Sequence, residues 1–195
     1  MINVNLMNLV LYNFEKGMIS MVNMDKLVFI VNGKPRAGKD TFAEILNRYM
    51  KVYKYSSVTK VKEIATLCGW DGKKDERDRK FLSDLKMLTT EYSDLSHNDV
   101  LEEIKKYRSG EIEADVFLVD IREPEEIDRL AKEVDAITVF IENNNVPNIT
   151  SNESDANVEN YEYDFRIQNN GTLEDFEDSI KLFMEFLMMF CLMYE

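Results

Sequence analysis

Leu27-Val28-Phe29-Ile30-Val31-Asn32-Gly33-Lys34-Pro35-Arg36-Ala37-Gly38-Lys39-Asp40-Thr41 is the stretch that decides the fold. Leu27 to Val31 is a continuous apolar, β-favouring run, the pattern of a strand buried on both faces. Gly33 to Lys39 fits G-x-x-x-x-G-K. From Thr41 to Met50 the spacing turns helical, with Phe42, Ile45, Leu46 and Tyr49 on one side. The order strand, glycine loop, helix gives the motif its physical sense.

Glycines admit backbone dihedrals closed to other residues, so such a loop can curl with its N–H groups inward. Those donors and the positive end of the following helix suit a phosphate chain, and Lys39 adds a compact charge for the β- and γ-phosphates. In a chain of this composition the pattern is expected by chance only about 0.02 times. The nucleotide-binding set is therefore Gly33, Lys34, Pro35, Arg36, Ala37, Gly38, Lys39, Asp40 and Thr41. Asp40 stands where a Ser or Thr would bind Mg²⁺, and an acid beside phosphates is tolerable only if it faces the metal, directly or through water.

Outward from this segment, strands and helices alternate. Val52 to Ser56 reads as a strand, Val58 to Cys68 as a helix, and Asp75 to Tyr92 as a longer helix carrying Phe81, Leu85 and Leu88. Ser96 suits an N-cap for a helix running to Arg108, which Gly110 ends. Val116 to Asp120 is a second buried-type strand, now ending in an acid. A helix from about Pro124 to Glu133 follows, then strands over Ala136 to Ile141 and Phe165 to Ile167. This pattern predicts a three-layer α/β fold, a mostly parallel sheet with helices on both faces.

Residues 24–195 read as one domain, with a helical insertion at about 58–110 and a loop or lid at about 143–162 rich in Asn, Ser, Asp and Glu. Residues 1–23 read as an extension or an over-long start. They lack the basic opening and cleavage site of a signal peptide, and Met21 or Met24 stands just ahead of the first strand.

The 195 residues carry 24 Lys and Arg against 37 Asp and Glu, a formal net charge of -13. The acidity is uneven. Residues 123–195 hold 4 basic and 18 acidic side chains, whereas residues 1–122 hold 20 and 19. Nucleic-acid polymers and anionic membranes are poor partners for such a field, but a nucleotide with Mg²⁺ is not. Cys68 and Cys191, with no disulfide framework, fit a reducing, cytoplasmic setting, and each thiol reads as a small buried hydrophobe. Leu182 to Tyr194 is too short for a membrane span; it reads as a closing helix on the sheet, with a homodimer contact through its Met-rich surface as the sharper alternative.

Gly33-Lys34-Pro35-Arg36-Ala37-Gly38-Lys39-Asp40-Thr41 after a short apolar strand resembles the phosphate loop of the phage-type deoxynucleoside monophosphate kinases and their bacterial relatives. The Gly-Lys-Asp element also occurs in the animal-type phosphomevalonate kinases. Val119-Asp120-Ile121-Arg122-Glu123-Pro124-Glu125-Glu126 is similar to the Asp-x-Arg-x-Pro-x-Glu block of those monophosphate kinases. Tyr163 to Leu173 looks like the final strand and turn that pack behind their phosphate loop.

The resemblance implies a P-loop kinase using ATP and Mg²⁺ to phosphorylate a nucleoside or deoxynucleoside monophosphate, a small-molecule acceptor. Lys39, Asp120 and Arg122 are then the candidate catalytic residues. Asp40 and Asp120 face the metal, and Arg122 grips the acceptor's phosphate, which its planar fork of donors suits. Helix capping by Asp120 and a surface ion pair of Arg122 with Glu125 or Glu126 are the alternatives. Arg79, Ser83 and Lys86 fall at i, i+4 and i+7 on one helical face, which reads either as acceptor contacts with Arg122 or as a solvated polar face.

Trp70 reads as a plug beside a turn or a base-stacking ring, and His97 as a loop or helix-start residue. The lid region carries no basic residue, so either Arg36 stands in for a lid arginine or closure is weak. A P-loop kinase with another acceptor, such as a nucleoside or phosphomevalonate, and a nucleotide-binding regulatory protein are the competing readings.

Overall fold

The computed structural model describes residues 26–73, 75–146 and 158–192. The expected start near Met21 or Met24, residues 147–157 of the expected lid, and the end of the chain lie outside the described residues. In chain order the elements are β1 (Leu27–Asn32), α1 (Lys39–Leu46), β2 (Val52–Ser56), α2 (Thr59–Leu67), α3 (Glu76–Ser93) and α4 (Leu95–Ser109). They continue with β3 (Val116–Asp120), α5 (Pro124–Val134), β4 (Ile137–Glu142), β5 (Phe165–Gln168) and α6 (Leu173–Leu192).

The five strands form one parallel sheet in the order β2-β3-β1-β4-β5. β1 sits at the centre and all six of its residues are buried, as its unbroken apolar run requires. Side chains alternate across a strand, so β1 serves two cores. Leu27, Phe29 and Val31 face α1 and α6, while Val28 and Ile30 face α4 and α5. The molecule is thus a three-layer α/β fold.

Phe183 of α6 anchors the first core. Its ring lies 5.0 Å from Phe165 edge-on, 5.6 Å from Phe29 and 6.3 Å from Phe42, centroid to centroid. α6 therefore packs on the sheet as a closing helix, with Phe176, Ile180, Phe183, Met184 and Leu187 buried and Leu182, Met188 and Met189 outward. On the other face Tyr107 is fully buried, its hydroxyl donating to the carbonyl of Asp115 at 2.8 Å.

The chain leaves β1 toward the β2 edge and leaves β3 toward β4, on opposite faces of the sheet. Such a reversal opens a crevice beyond the carboxyl ends of the strands, where open α/β sheets hold ligands. α2, α3 and α4 all lie in the connection between β2 and β3. α3 has no buried residue, whereas α4 joins the core through Val100, Ile104 and Tyr107.

Two local expectations change. Ser96 lies inside the first turn of α4 rather than capping it; the cap position is Asp94, in a left-handed conformation that turns α3 sharply into α4. Cys68 is exposed, because it follows the last residue of α2 on a helix that buries only Val61 and Ala65. Among the described residues no helix is long and apolar enough to cross a membrane.

Candidate functional site

The glycine loop spans the gap between β1 and α1 at the carboxyl edge of the sheet. Its shape is imposed by close contacts. A Cβ on Gly33 would stand 2.6 Å from the backbone oxygen of Ile141, so β4 leaves room there for glycine alone. Gly38 has φ +106, and a Cβ on it would meet the Asn169 amide at 2.4 Å. Arg36 is held at φ 67, a left-handed conformation that costs a non-glycine residue about 1–2 kcal/mol. Lys39 curls back over the loop, its ammonium donating to the carbonyls of Gly33 at 2.6 Å and Lys34 at 3.1 Å. The loop thereby presents a fixed charge at the N-terminus of α1.

Three residues hold this loop from behind. Asn32 is fully buried; its Oδ1 accepts from the Gly33 amide at 2.8 Å. Its Nδ2 donates to the Tyr163 hydroxyl at 2.8 Å and to the Arg122 carbonyl at 3.2 Å. Tyr163 in turn donates to the carbonyl of Val158. Asn169, in the turn after β5, donates its backbone N–H to the Glu142 carbonyl and its side-chain amide to the Ala37 carbonyl, both at 2.8 Å. The loop after β1, the loop after β3 and the turn after β5 are thus one hydrogen-bonded unit.

Asp120 ends β3 beside β1, its Cα paired with Val31 on one side and Ser56 on the other. It does not cap α5, whose N-cap position is Glu123. Its partner is Lys54 of β2, a residue the sequence reading passed over. The Lys54 ammonium bonds Asp40 and lies 3.3 Å from Asp120 Oδ2. The period-2 alternation of Val52-Tyr53-Lys54-Tyr55-Ser56 was the available signal, since it sends Lys54 to the face opposite the two tyrosines. Burial lifts the Asp120 carboxyl above the ordinary aspartate value, although Lys54 and, further off, Lys39 pull it down. Burial works against the Lys54 ammonium too, but its bond to Asp40 and the charge of Asp120 outweigh that and raise it.

Asp120 Oδ1 is buried and has no hydrogen-bond partner. An orphaned carboxylate oxygen, a second carboxylate at Asp40 and a cation already drawn between them fit a hard divalent ion. Mg²⁺ takes one or two carboxylates and completes its octahedron with water and phosphate oxygens. Among the described residues no group of three or more His, Cys, Asp or Glu side chains could hold a metal by itself.

A cavity of about 190 Å³ opens at the same edge of the sheet, between the α3–α4 junction and α5. Ser57 after β2 and Ile121 after β3 form its floor. Thr90 Oγ1 and Ser96 Oγ are both buried without a partner, and both residues line this cavity. Thr90 extends the Arg79, Ser83, Lys86 face by a further four residues, so that face runs into the cavity. Lys86 itself is paired with Glu126 of α5 at 2.7 Å, whereas Arg79 and Ser83 are exposed. Around the cavity Asp94, Glu125 and Glu126 supply acid, and Arg129 and His97 supply base. Arg129 pairs with Asp94 at 2.5 Å, and His97 with Glu133 at 2.8 Å.

The structure therefore gathers Lys39, Asp40 and Asp120 around the loop, and Arg122, two residues beyond Asp120, is exposed with its carbonyl bonded to Asn32. Lys34 pairs with Glu159 at 2.9 Å, so the far end of the expected lid brings an acid, not an arginine, to the loop. Trp70 donates its indole N–H to the Lys73 carbonyl within its own turn.

No family model matches the sequence, and no curated protein does. Among solved structures, a dephospho-CoA kinase from Campylobacter jejuni is similar with a TM-score of 0.48 and 18% identity, over 82% of this chain and 96% of that one. A shikimate kinase from Aquifex aeolicus is similar with a TM-score of 0.43 and 16% identity, over 84% of this chain and 98% of that one.

Proposed function

We propose that the protein transfers the terminal phosphoryl group of ATP, with Mg²⁺, to a nucleoside or deoxynucleoside monophosphate. The observation that carries this reading is the loop itself: strained at Arg36, closed to any side chain at Gly33, and carrying Lys39 folded over its carbonyls. A loop so constrained, at a helix N-terminus, is built to hold a phosphate chain.

Phosphoryl transfer needs in-line positioning and neutralised charge more than covalent chemistry. Lys39 and the loop hold the β- and γ-phosphates of the donor. Asp40 and Asp120 hold Mg²⁺, which when bound neutralises charge on the transferring group. Arg122, exposed and two residues beyond Asp120, holds the acceptor's phosphate.

The cavity between α3, α4 and α5 takes the rest of the acceptor. Its orphaned hydroxyls at Thr90 and Ser96 ask for hydrogen-bonding groups. With Asp94 paired to Arg129 and Glu126 to Lys86, its cations are already engaged, leaving among the described residues no open cation there for a second anionic group. A nucleobase is uncharged and rich in donors and acceptors, so it suits such a cavity. Phosphomevalonate would bring a carboxylate of its own into it.

A coupled assay with Mg-ATP and a panel of common NMPs and dNMPs tests the reading, with Lys39→Ala as control. ADP should form with at least one acceptor, and Lys39→Ala should lower kcat/KM by about 100-fold or more. Measurable ATP binding with no ADP formed from any acceptor would overturn it.

A further inference from the structure

We propose that Lys54 is a built-in counter-ion for Asp40 and Asp120, which a divalent cation must displace, so that metal binding and release of Lys54 are one exchange. The proposal rests on the reading of Asp40 and Asp120 as the metal-facing pair. Lys54 stands in edge strand β2, on the face it shares with Val52 and toward α1. A lysine there could lie in solvent, yet its side chain is only 32% exposed and its ammonium contacts both carboxylates.

The electrostatics explain why. The exposed carboxylate of Asp40, in the first turn of α1, and the largely buried one of Asp120, at the end of β3, meet at one ammonium and repel one another. Burial alone already disfavours the charged form of Asp120. Lys54 cuts the net charge of the trio from two negative to one. An ammonium and a divalent ion cannot occupy the same carboxylate lone pair, so a metal that bridges Asp40 Oδ1 and Asp120 Oδ2 needs the positions Lys54 now holds. Asp120 divides the task between its oxygens: Oδ2 faces Lys54, while Oδ1 is buried and unpartnered. An arriving cation can engage Oδ1 before Lys54 leaves Oδ2.

The experiment measures Mn²⁺ binding from the free-ion electron paramagnetic resonance signal, with no nucleotide or acceptor present. A chain that phosphorylates nothing still answers it, so this proposal and the proposed function can fail separately. Lys54→Gln should bind Mn²⁺ about tenfold more tightly than the natural protein, the scale of removing one charge at ion-pair distance from a half-buried site. Adding Asp120→Asn to that variant should erase the gain.

A Lys54→Gln protein that binds Mn²⁺ no more tightly than the natural one overturns the proposal. Should Lys54→Gln fail to fold, the natural protein decides, through the ¹⁵N signals of its lysine ammonium groups. The Lys54 signal, identified by its loss in the charge-preserving Lys54→Arg, should move toward that of a solvated lysine as Mg²⁺ is added. A signal unmoved at saturating Mg²⁺ overturns the proposal.

Discussion

The side-chain amide of Asn169 donates to the carbonyl of Ala37 at 2.8 Å, tying the turn after β5 to the phosphate loop across 132 residues of chain. The same amide occupies the space into which a side chain on Gly38 would project. Gly38→Ala therefore meets a clash and a left-handed φ together, and should weaken ATP binding by about 100-fold while costing about 1–3 kcal/mol of stability. Asn169→Ala removes only the tether and should weaken ATP binding by about tenfold or less. Calorimetric titration with ATP checks both; a Gly38→Ala protein that binds ATP like the natural one would contradict the described loop geometry.

Asn32 makes three hydrogen bonds in a fully buried position, to the Gly33 amide, the Tyr163 hydroxyl and the Arg122 carbonyl. Asn32→Ala strands those partners and leaves a small void, and should cost about 2–4 kcal/mol. Urea unfolding followed by circular dichroism reads this as a lowered midpoint at unchanged slope. A loss under about 0.5 kcal/mol, the level of an ordinary surface substitution, would show that the network is not structural.

Thr90 and Ser96 give opposite signs for folding and for binding. Each buries a hydroxyl with no partner, so Thr90→Val and Ser96→Ala should each raise the stability of the ligand-free protein by about 1 kcal/mol. The same changes should raise the KM for the acceptor about tenfold and leave the KM for ATP unchanged, because the hydroxyls line the cavity and not the loop. Melting temperatures with steady-state kinetics separate the effects. Variants that melt lower and keep acceptor KM would assign these hydroxyls to the fold.

Asp120 sets a pH dependence. Burial raises its pKa above the ordinary aspartate value, so the unfolded chain gives up that proton at lower pH than the folded protein does. Between the two values the folded state binds more protons, and the contribution of Asp120 to stability falls as pH rises. Asp120→Asn should remove that downward slope. Metal binding needs the carboxylate ionised, so Mn²⁺ affinity should fall on acidification at a pH above that of an exposed aspartate. A Mn²⁺ titration series across pH checks this, and an acid limb at the ordinary aspartate position would refute it.

The layered fold was legible because its signals are local. Leu27 to Val31 and Val116 to Val119 are unbroken apolar runs, and only a strand covered on both faces explains such runs beside helical spacing. The glycine loop was legible for the same reason: Gly33 to Lys39 is contiguous, and its chemistry lies in backbone freedom and one charge. Element ends moved by a few residues, as at α1, which begins at Lys39 and stops at Leu46.

The partners of those residues lie far away in sequence and carry no local signal. Lys54 meets Asp120 only because β2 and β3 pair in a register that sets Ser56 beside Asp120. Ser96 has the residue type of a helix cap, but the left-handed Asp94 takes the cap two positions earlier and turns the Ser96 hydroxyl into a cavity. Glu126 takes Lys86 because α5 lies against α3.

By itself, then, the sequence determined the three-layer sheet and the phosphate loop, since period, propensity and glycine act between near neighbours. The tertiary structure decided which charges meet, what Asn32 and Asn169 hold, and where the unpartnered oxygens point. Those depend on strand order and on packing between segments up to 132 residues apart, which no local pattern encodes.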